Sequence, residues 1–198
     1  MRWCVRAKRN KVAQGCAVVI GNALDASSYA DRTCPSDTFV ELVGVARPSP
    51  AKAAEFKNVD LQAGRGGVSA AKSAETRHFV YVSVAHPAPM MRAYIDVRIE
   101  CEAAIELAGL NATILRPWYV LGPGHRWPYF LMPIYKVAQW IPQTRDGAQR
   151  LGLVTLEQMV DALRFAVENP VREEAFVGYR RSERRWREKP RPSRRSVM

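Results

Sequence analysis

The amino-acid sequence predicts an α/β protein: a parallel sheet with helices on both faces. Three observations carry this. Residues 78–84, HFVYVSV, are a nearly continuous run of β-forming apolar residues, the pattern of a strand covered on both faces. Residues 91–108 place Tyr94, Val97, Cys101, Ala104 or Ile105, and Ala108 at steps of three and four, which is one stripe of a helix. Residues 111–116 return to a buried-strand pattern and stop at Pro117. Strand, helix, strand with both strands apolar is the repeating unit of a parallel sheet.

The totals fit one domain with a tail. The chain has 198 residues, 47% hydrophobic and 25% charged, a globular balance. No run approaches the roughly 18 apolar residues of a membrane-spanning helix. The basic first residues lack the long apolar region of a secretory signal, so a cytoplasmic protein is expected. Cys4, Cys16, Cys34 and Cys101 are widely spaced, without a C-x-x-C, and the only histidines are His78, His86 and His125. That pattern argues against a structural zinc site and reads Cys16 and Cys101 as buried thiols. The net charge of +11 is concentrated in residues 1–11 and 179–195. These runs carry few aromatics and no recognition motif, so they read as solvated basic ends rather than a specific nucleic-acid surface. The expected organisation is one domain over residues 1–178 and a disordered basic tail over 179–198.

In chain order, residues 16–20 form a short strand ending at Gly21 and Asn22, as strands do at the ligand edge of a parallel sheet. Asp25, just beyond, either accepts a hydrogen bond from an adenine or ribose group or caps the turn over 26–29. Residues 38–45, TFVELVGV, are the next strand, interrupted by Glu41, which suits its polar edge. Gly44 and Ala46 keep the strand end narrow, so that a dinucleotide can approach the backbone. Ser49 and Pro50 suit the N-cap and first position of a helix over 51–74. Gly64, Gly66 and Gly67 predict a weak middle for it, by a bend or by a close neighbour that requires small residues.

Pro87 and Pro89 stop any pairing in the loop after the 78–84 strand. On the 91–108 helix, Arg92 with Asp96 and Arg98 with Glu102 have ion-pair spacing. Gly122, Pro123 and Gly124 predict a tight loop. Residues 126–141, rich in aromatics but broken by prolines, suit an irregular lid, a dimer surface, or plain packing on the sheet end. Residues 151–154 form a short strand. Thr155 with Gln158 predicts a capping box, and Leu156, Met159, Val160, Leu163 and Val167 line the helix that follows until Asn169-Pro170. Residues 173–177 add an edge strand.

A constellation emerges at the centre. Ser83 ends a rigid strand, and Tyr94 and Arg98 share a face of the next helix. If that helix starts beside the strand end, hydroxyl, phenol and guanidinium converge. A phenol has a pKa of about 10, and a neighbouring cation lowers it. The serine can then hold a carbonyl oxygen while the tyrosine transfers a proton. Such a site makes sense only with a hydride carrier, against which residues 117–124 would lie. Each residue also has an ordinary structural role: a core tyrosine, a strand serine, an arginine paired to Glu102.

These residues resemble the atypical short-chain dehydrogenase/reductase superfamily, and within it the NmrA-like and epimerase-like NAD(P)-binding proteins. The matching pieces are Gly21-Asn22-Ala23-Leu24-Asp25, residues 37–44, Phe56, Asp60 and Ala70-Ala71, residues 79–83, Arg116-Pro117-Trp118-Tyr119-Val120-Leu121-Gly122-Pro123-Gly124, and residues 153–170. Their order and spacing, over residues 15–170, carry the resemblance. It implies a Rossmann-like parallel sheet, NAD or NADP as cofactor, and oxidoreductase-like or epimerase-like chemistry on a small molecule, with a homo-oligomer possible. Ser83 then matches the active-site serine and Tyr94 the catalytic tyrosine. Arg98 stands at the lysine of the family's Tyr-x-x-x-Lys. The cofactor contacts would be Asn22, Asp25, Val45, Pro117, Tyr119 and Val120, with Arg6 placed for an adenosine 2′-phosphate.

Two departures from the family pattern stand out. Arginine is longer, planar and permanently charged, so Arg98 is not a conservative replacement for lysine. The family also opens with a strand and a glycine-rich turn that cradles pyrophosphate. About fifteen residues precede the Cys16 strand, without a G-x-x-G-x-x-G, and residues 3–6 look like the second family strand. The expectation is therefore a fold lacking the first strand and glycine-rich turn, with exposed flanking strands and impaired cofactor binding. It fits a start codon upstream or a decayed gene product, ahead of a reduced, non-catalytic NAD(P)-sensing or assembly protein.

Overall fold

The computed structural model describes residues 2–4, 14–33, 36–46, 48–87, 91–121, 153–170 and 175–177. The strands are β1 (Arg2–Cys4), β2 (Ala17–Val19), β3 (Thr38–Glu41), β4 (His78–Val82), β5 (Ala112–Leu115), β6 (Tyr119–Leu121), β7 (Leu153–Thr155) and β8 (Ala175–Val177). Among the described residues three longer helices accompany them, α1 over residues 50–73, α2 (Arg92–Leu107) and α3 (Leu156–Glu168), with short 3-10 turns at Ala26–Ser28 and Ala30–Arg32. The order β3-β4-β5-β8 makes one fully parallel sheet, with Val40 opposite Val80 and Val80 opposite Thr113. Two further parallel pairs, β1-β2 and β6-β7, stand apart from it. This is the Rossmann-like arrangement that the alternation of strands and helices predicts.

The central strands read as apolar runs because both their faces are covered. All four residues of β5 are buried, as are His78, Phe79, Val80 and Tyr81 of β4. One face packs on α1 and α2 through Phe56, Val68, Ala71, Val97, Cys101 and Ile105; the other packs on α3 through Val80, Leu115, Met159 and Ala166. Among the described residues nothing pairs with the far side of β3. β3 is thus an edge strand of this sheet, and Val40 and Leu42 are 37% and 50% exposed.

Several local expectations are corrected. β3 stops at Glu41, four residues short of the predicted end, because the Glu41 carboxylate accepts the Val43 N–H and turns the chain. Glu41 is also not at a polar edge; it is buried. Helix α1 is irregular one turn before its glycines. A π-helical segment occupies Phe56–Leu61, and Gln62–Ser73 is regular α-helix. The glycines answer to close neighbours instead: a Cβ on Gly64 would lie 2.6 Å from Cys101 Sγ, and one on Gly67 would collide with the Glu41 carboxylate. Ser49 does precede α1, with Pro50 at its start, but its side chain makes no capping bond.

Helix α3 begins with the predicted capping box of Thr155 and Gln158. Its buried face centres on Met159 and Ala166, so Leu156 and Val160 fall off its edge and are exposed. Helix α2 starts from Met91 in the left-handed conformation, φ 62°, uncommon for a side chain of that size. The Met91 carbonyl accepts the N–H groups of both Tyr94 and Ile95, which fixes the first turn. The predicted 122–124 loop, the aromatic stretch 126–141 and the basic tail from 179 lie outside the described residues.

Candidate active site

Ser83 is the first residue past β4. Its N–H donates to the Leu115 carbonyl at 2.7 Å, and the Ala85 N–H donates to the Pro117 carbonyl at 3.0 Å. The segments leaving β4 and β5 therefore run side by side beyond the sheet, at the carboxyl edge where ligands of open α/β sheets bind. Ser83 is 3% exposed, and its Oγ has no hydrogen-bond partner among the described residues. A buried hydroxyl left unsatisfied costs about 1–3 kcal/mol, so a polar atom of a bound molecule would be stabilising there.

Tyr94 lies in the first turn of α2, half-buried. Its ring packs against Phe56 with centroids 5.0 Å apart, and the Arg98 guanidinium carbon lies 5.0 Å from its centroid. The sequence reading expects the cation to lower the phenol pKa. The net effect is the reverse: burial raises it, and Arg98 only partly opposes that.

Arg98 is itself buried, at 6% exposure. Nη2 donates to Asp60 Oδ1, and Nη1 donates to Tyr81 Oη at 3.1 Å and to the Val82 carbonyl at 3.0 Å. The pairing with Glu102 predicted from spacing is not made. Asp60 faces Arg98 from α1, while Arg116, just past β5, holds both carboxylate oxygens of Glu102. His86 Nε2 lies 3.5 Å from the same Glu102 carboxylate. Burial opposes the charge on Arg98, but Tyr81, Tyr94 and Asp60 together outweigh it and hold the guanidinium ionised.

Ser83, Tyr94 and Arg98 are thus linked, since Arg98 stacks on Tyr94 and grips the carbonyl of the peptide whose nitrogen is Ser83's. The predicted cofactor residues divide. Asn22 and Asp25 are tied into their own turn: Asn22 Oδ1 accepts from Leu24 N at 3.2 Å, and Asp25 Oδ1 caps Ser27 N at 3.1 Å. Of the two roles left open for Asp25, capping is present. Val45 donates its N–H to Asp60 Oδ2 at 3.1 Å, and its side chain packs on the main core. Pro117 accepts from Ala85, Tyr119 opens β6, and Val120 packs against the α3 side of the sheet. Arg6 lies outside the described residues.

Sequence reasoning gave Asp60 and Glu41 no part in the site. The signal for Asp60 was an acidic residue on the apolar stripe of α1, four after Phe56 and four before Gly64. Glu41 was visible as the lone carboxylate in an apolar strand; burial raises its pKa to about 7, against the Val43 N–H and the Arg98 charge.

No family model matches the sequence, and no curated protein sequence matches it. Solved structures do match in fold. The Bordetella bronchiseptica enzyme WbmH in complex with NAD+ is 17% identical, with a TM-score of 0.62 over 87% of this chain and 63% of that one. UDP-N-acetylglucosamine 4-epimerase from Bacillus cereus is 15% identical, with a TM-score of 0.58 over 82% of this chain and 65% of that one. A short-chain dehydrogenase/reductase superfamily protein from Agrobacterium tumefaciens with bound NAD is 16% identical, with a TM-score of 0.59 over 83% and 66%. The chain spans less than two thirds of the length of each. The resemblance to that superfamily holds at the level of the fold, a Rossmann-like parallel sheet seen in NAD-bound proteins. No helix among the described residues is long and apolar enough to cross a membrane.

Proposed function

We propose that the chain belongs to the short-chain dehydrogenase/reductase superfamily and carries the substrate half of an NAD(P)-linked, epimerase-like or oxidoreductase-like site. The observation that supports this best is the buried Ser83 hydroxyl at the carboxyl edge of β4, without a partner among the described residues, with Arg98 bonded to the preceding Val82 carbonyl and stacked on Tyr94. Bound NAD would supply a hydride acceptor that no side chain provides. Ser83 hydrogen-bonds the oxygen of a substrate alcohol or carbonyl, and Tyr94 takes or returns its proton. Pro117, Tyr119 and Val120 border the nicotinamide end, and Val45 the adenine side. The structural neighbours make sugar nucleotides the first substrates to try.

The pyrophosphate end is different. The sequence holds no G-x-x-G-x-x-G, the pattern with which such folds gather backbone N–H groups around two phosphates. NAD therefore binds this polypeptide weakly. A second reading, a non-catalytic NAD-sensing or assembly protein, draws on the inward commitment of Arg98 and the raised pKa of Tyr94.

Incubation of the full chain with NAD and a panel of UDP-hexoses separates them, with NADH absorbance and product isomers as readouts. The catalytic reading expects turnover that Tyr94→Phe abolishes while NAD affinity stays within about twofold. Equal turnover in Tyr94→Phe would remove Tyr94 from the mechanism. No turnover with intact NAD binding favours the sensing protein.

A further inference from the structure

We infer that Asp60 is the positioning residue of this site: through Arg98 it sets the backbone that presents Ser83, and directly it sets the loop after β3. Its carboxylate is buried, with the residue 1% exposed, and sits in the π-helical segment Phe56–Leu61 of α1. Single π-turns in helices are frequent at functional sites. Here Asp60 faces two ways. Oδ2 accepts the Val45 N–H at 3.1 Å, and Oδ1 accepts from Arg98 Nη2.

From Arg98 the linkage continues through Nη1 to the Val82 carbonyl at 3.0 Å. The peptide joining Val82 to Ser83 is thereby gripped on both sides, since its N–H donates to the Leu115 carbonyl at 2.7 Å. Gly44 completes the arrangement. A Cβ there would lie 2.6 Å from Arg98 Nη2 and 2.9 Å from Asp60 Oδ1, so the loop after β3 lies directly on the ion pair.

This accounts for arginine at position 98. A guanidinium fork offers several fixed donors, enough to reach Asp60, Tyr81 and Val82 together, whereas a lysine ammonium is a single point. A buried ion pair is not by itself strong evidence of stabilisation. Its use in this fold is geometric, tying the loop after β3 to the loop after β4. The catalytic consequence rests on the function proposed above for Ser83; the geometric linkage does not.

The test is amide hydrogen exchange on the full chain, followed by NMR at three N–H groups: Val45, Ser83, and Phe79 as a control. Phe79 donates to the Asn111 carbonyl at 2.9 Å, at the opposite end of β4. Asp60→Asn is expected to speed exchange at Val45 and Ser83 by roughly tenfold or more through local opening, with Phe79 unchanged. Arg98→Lys keeps a cation for Asp60 but loses the fork, so Ser83 exchange rises while Val45 stays protected. If Asp60→Asn does not fold, Asp60→Asn/Arg98→Met removes both charges at once and is expected to fold with Ser83 exchange still fast. Unchanged Ser83 exchange in the folded Asp60 variant, single or double, would overturn the inference. So would a uniform rise at all three amides, the mark of general loosening. Failure of the wild type to bind NAD would refute the proposed function and leave the exchange pattern standing.

Discussion

The sheet built on β4 and the pair β1-β2 are both parallel, yet they are held by different means. β4 has a strand on each side, and its five residues feed a core in which Phe79, Tyr81, Phe56, Ile105 and Ile114 are almost fully buried. β1 and β2 are three residues each, and the small core beside β2 is Val19, Tyr29 and Ala70. What shapes the chain after β2 is turn chemistry: Asn22, Asp25 and Ser28 bond to neighbouring backbone in a solvent-exposed turn. Ser83, Tyr94 and Arg98 hang from the buried part, whereas Asn22 and Asp25 belong to an exposed turn with few buried contacts, which is expected to open at lower free energy.

The largest expected effect lies at the centre of the buried part. Phe79→Ala should cost about 3–5 kcal/mol in urea unfolding, as loss of a buried aromatic does. A loss below about 1 kcal/mol would erase the contrast, because β4 would then be no better consolidated than β2.

Glu41→Gln comes next and acts through pH. Burial pushes the Glu41 carboxyl up to about 7 from the ordinary value of 4.5, so the folded protein holds this proton more tightly than the unfolded chain. The stability it contributes is fully present below about 4.5 and is lost as pH rises through about 7, roughly 3 kcal/mol in all. Glutamine cannot ionise, so the variant should gain on the wild type as pH rises and show a flatter profile across that window. Parallel stability–pH curves would show that Glu41 is not held protonated.

The smallest effect belongs to the turn. Asp25→Ala removes the side-chain bond to Ser27 N and should cost about 1 kcal/mol, without altering exchange at Ser83. A change at Ser83 would show that the two parts are coupled.

Most of the fold was legible because its strands and helices have the periodicities that burial imposes. HFVYVSV reads as a covered strand, the stripe from Tyr94 to Ile105 as a helix, and Thr155 with Gln158 as a helix start. Partners across elements were not legible. Spacing within α2 pairs Arg98 with Glu102, but tertiary placement gives Arg98 to Asp60 and Glu102 to Arg116, thirty-eight and fourteen residues away. Nor was the π-turn legible, since no composition distinguishes Phe56–Leu61 from ordinary helix. The glycines of α1 were correctly seen as unusual. Their purpose depended on Cys101 and Glu41 lying against them, which only the packed structure supplies.

The proposed function calls for an NAD-linked site that holds substrate well and the cofactor's phosphates weakly. A calorimetric titration of the full chain with NAD tests it most directly. Saturable one-site binding is expected, with a dissociation constant on the order of 100 μM, about −5.5 kcal/mol. Absence of saturable binding at millimolar NAD would contradict the cofactor assignment, and low-micromolar binding would contradict the weak phosphate end.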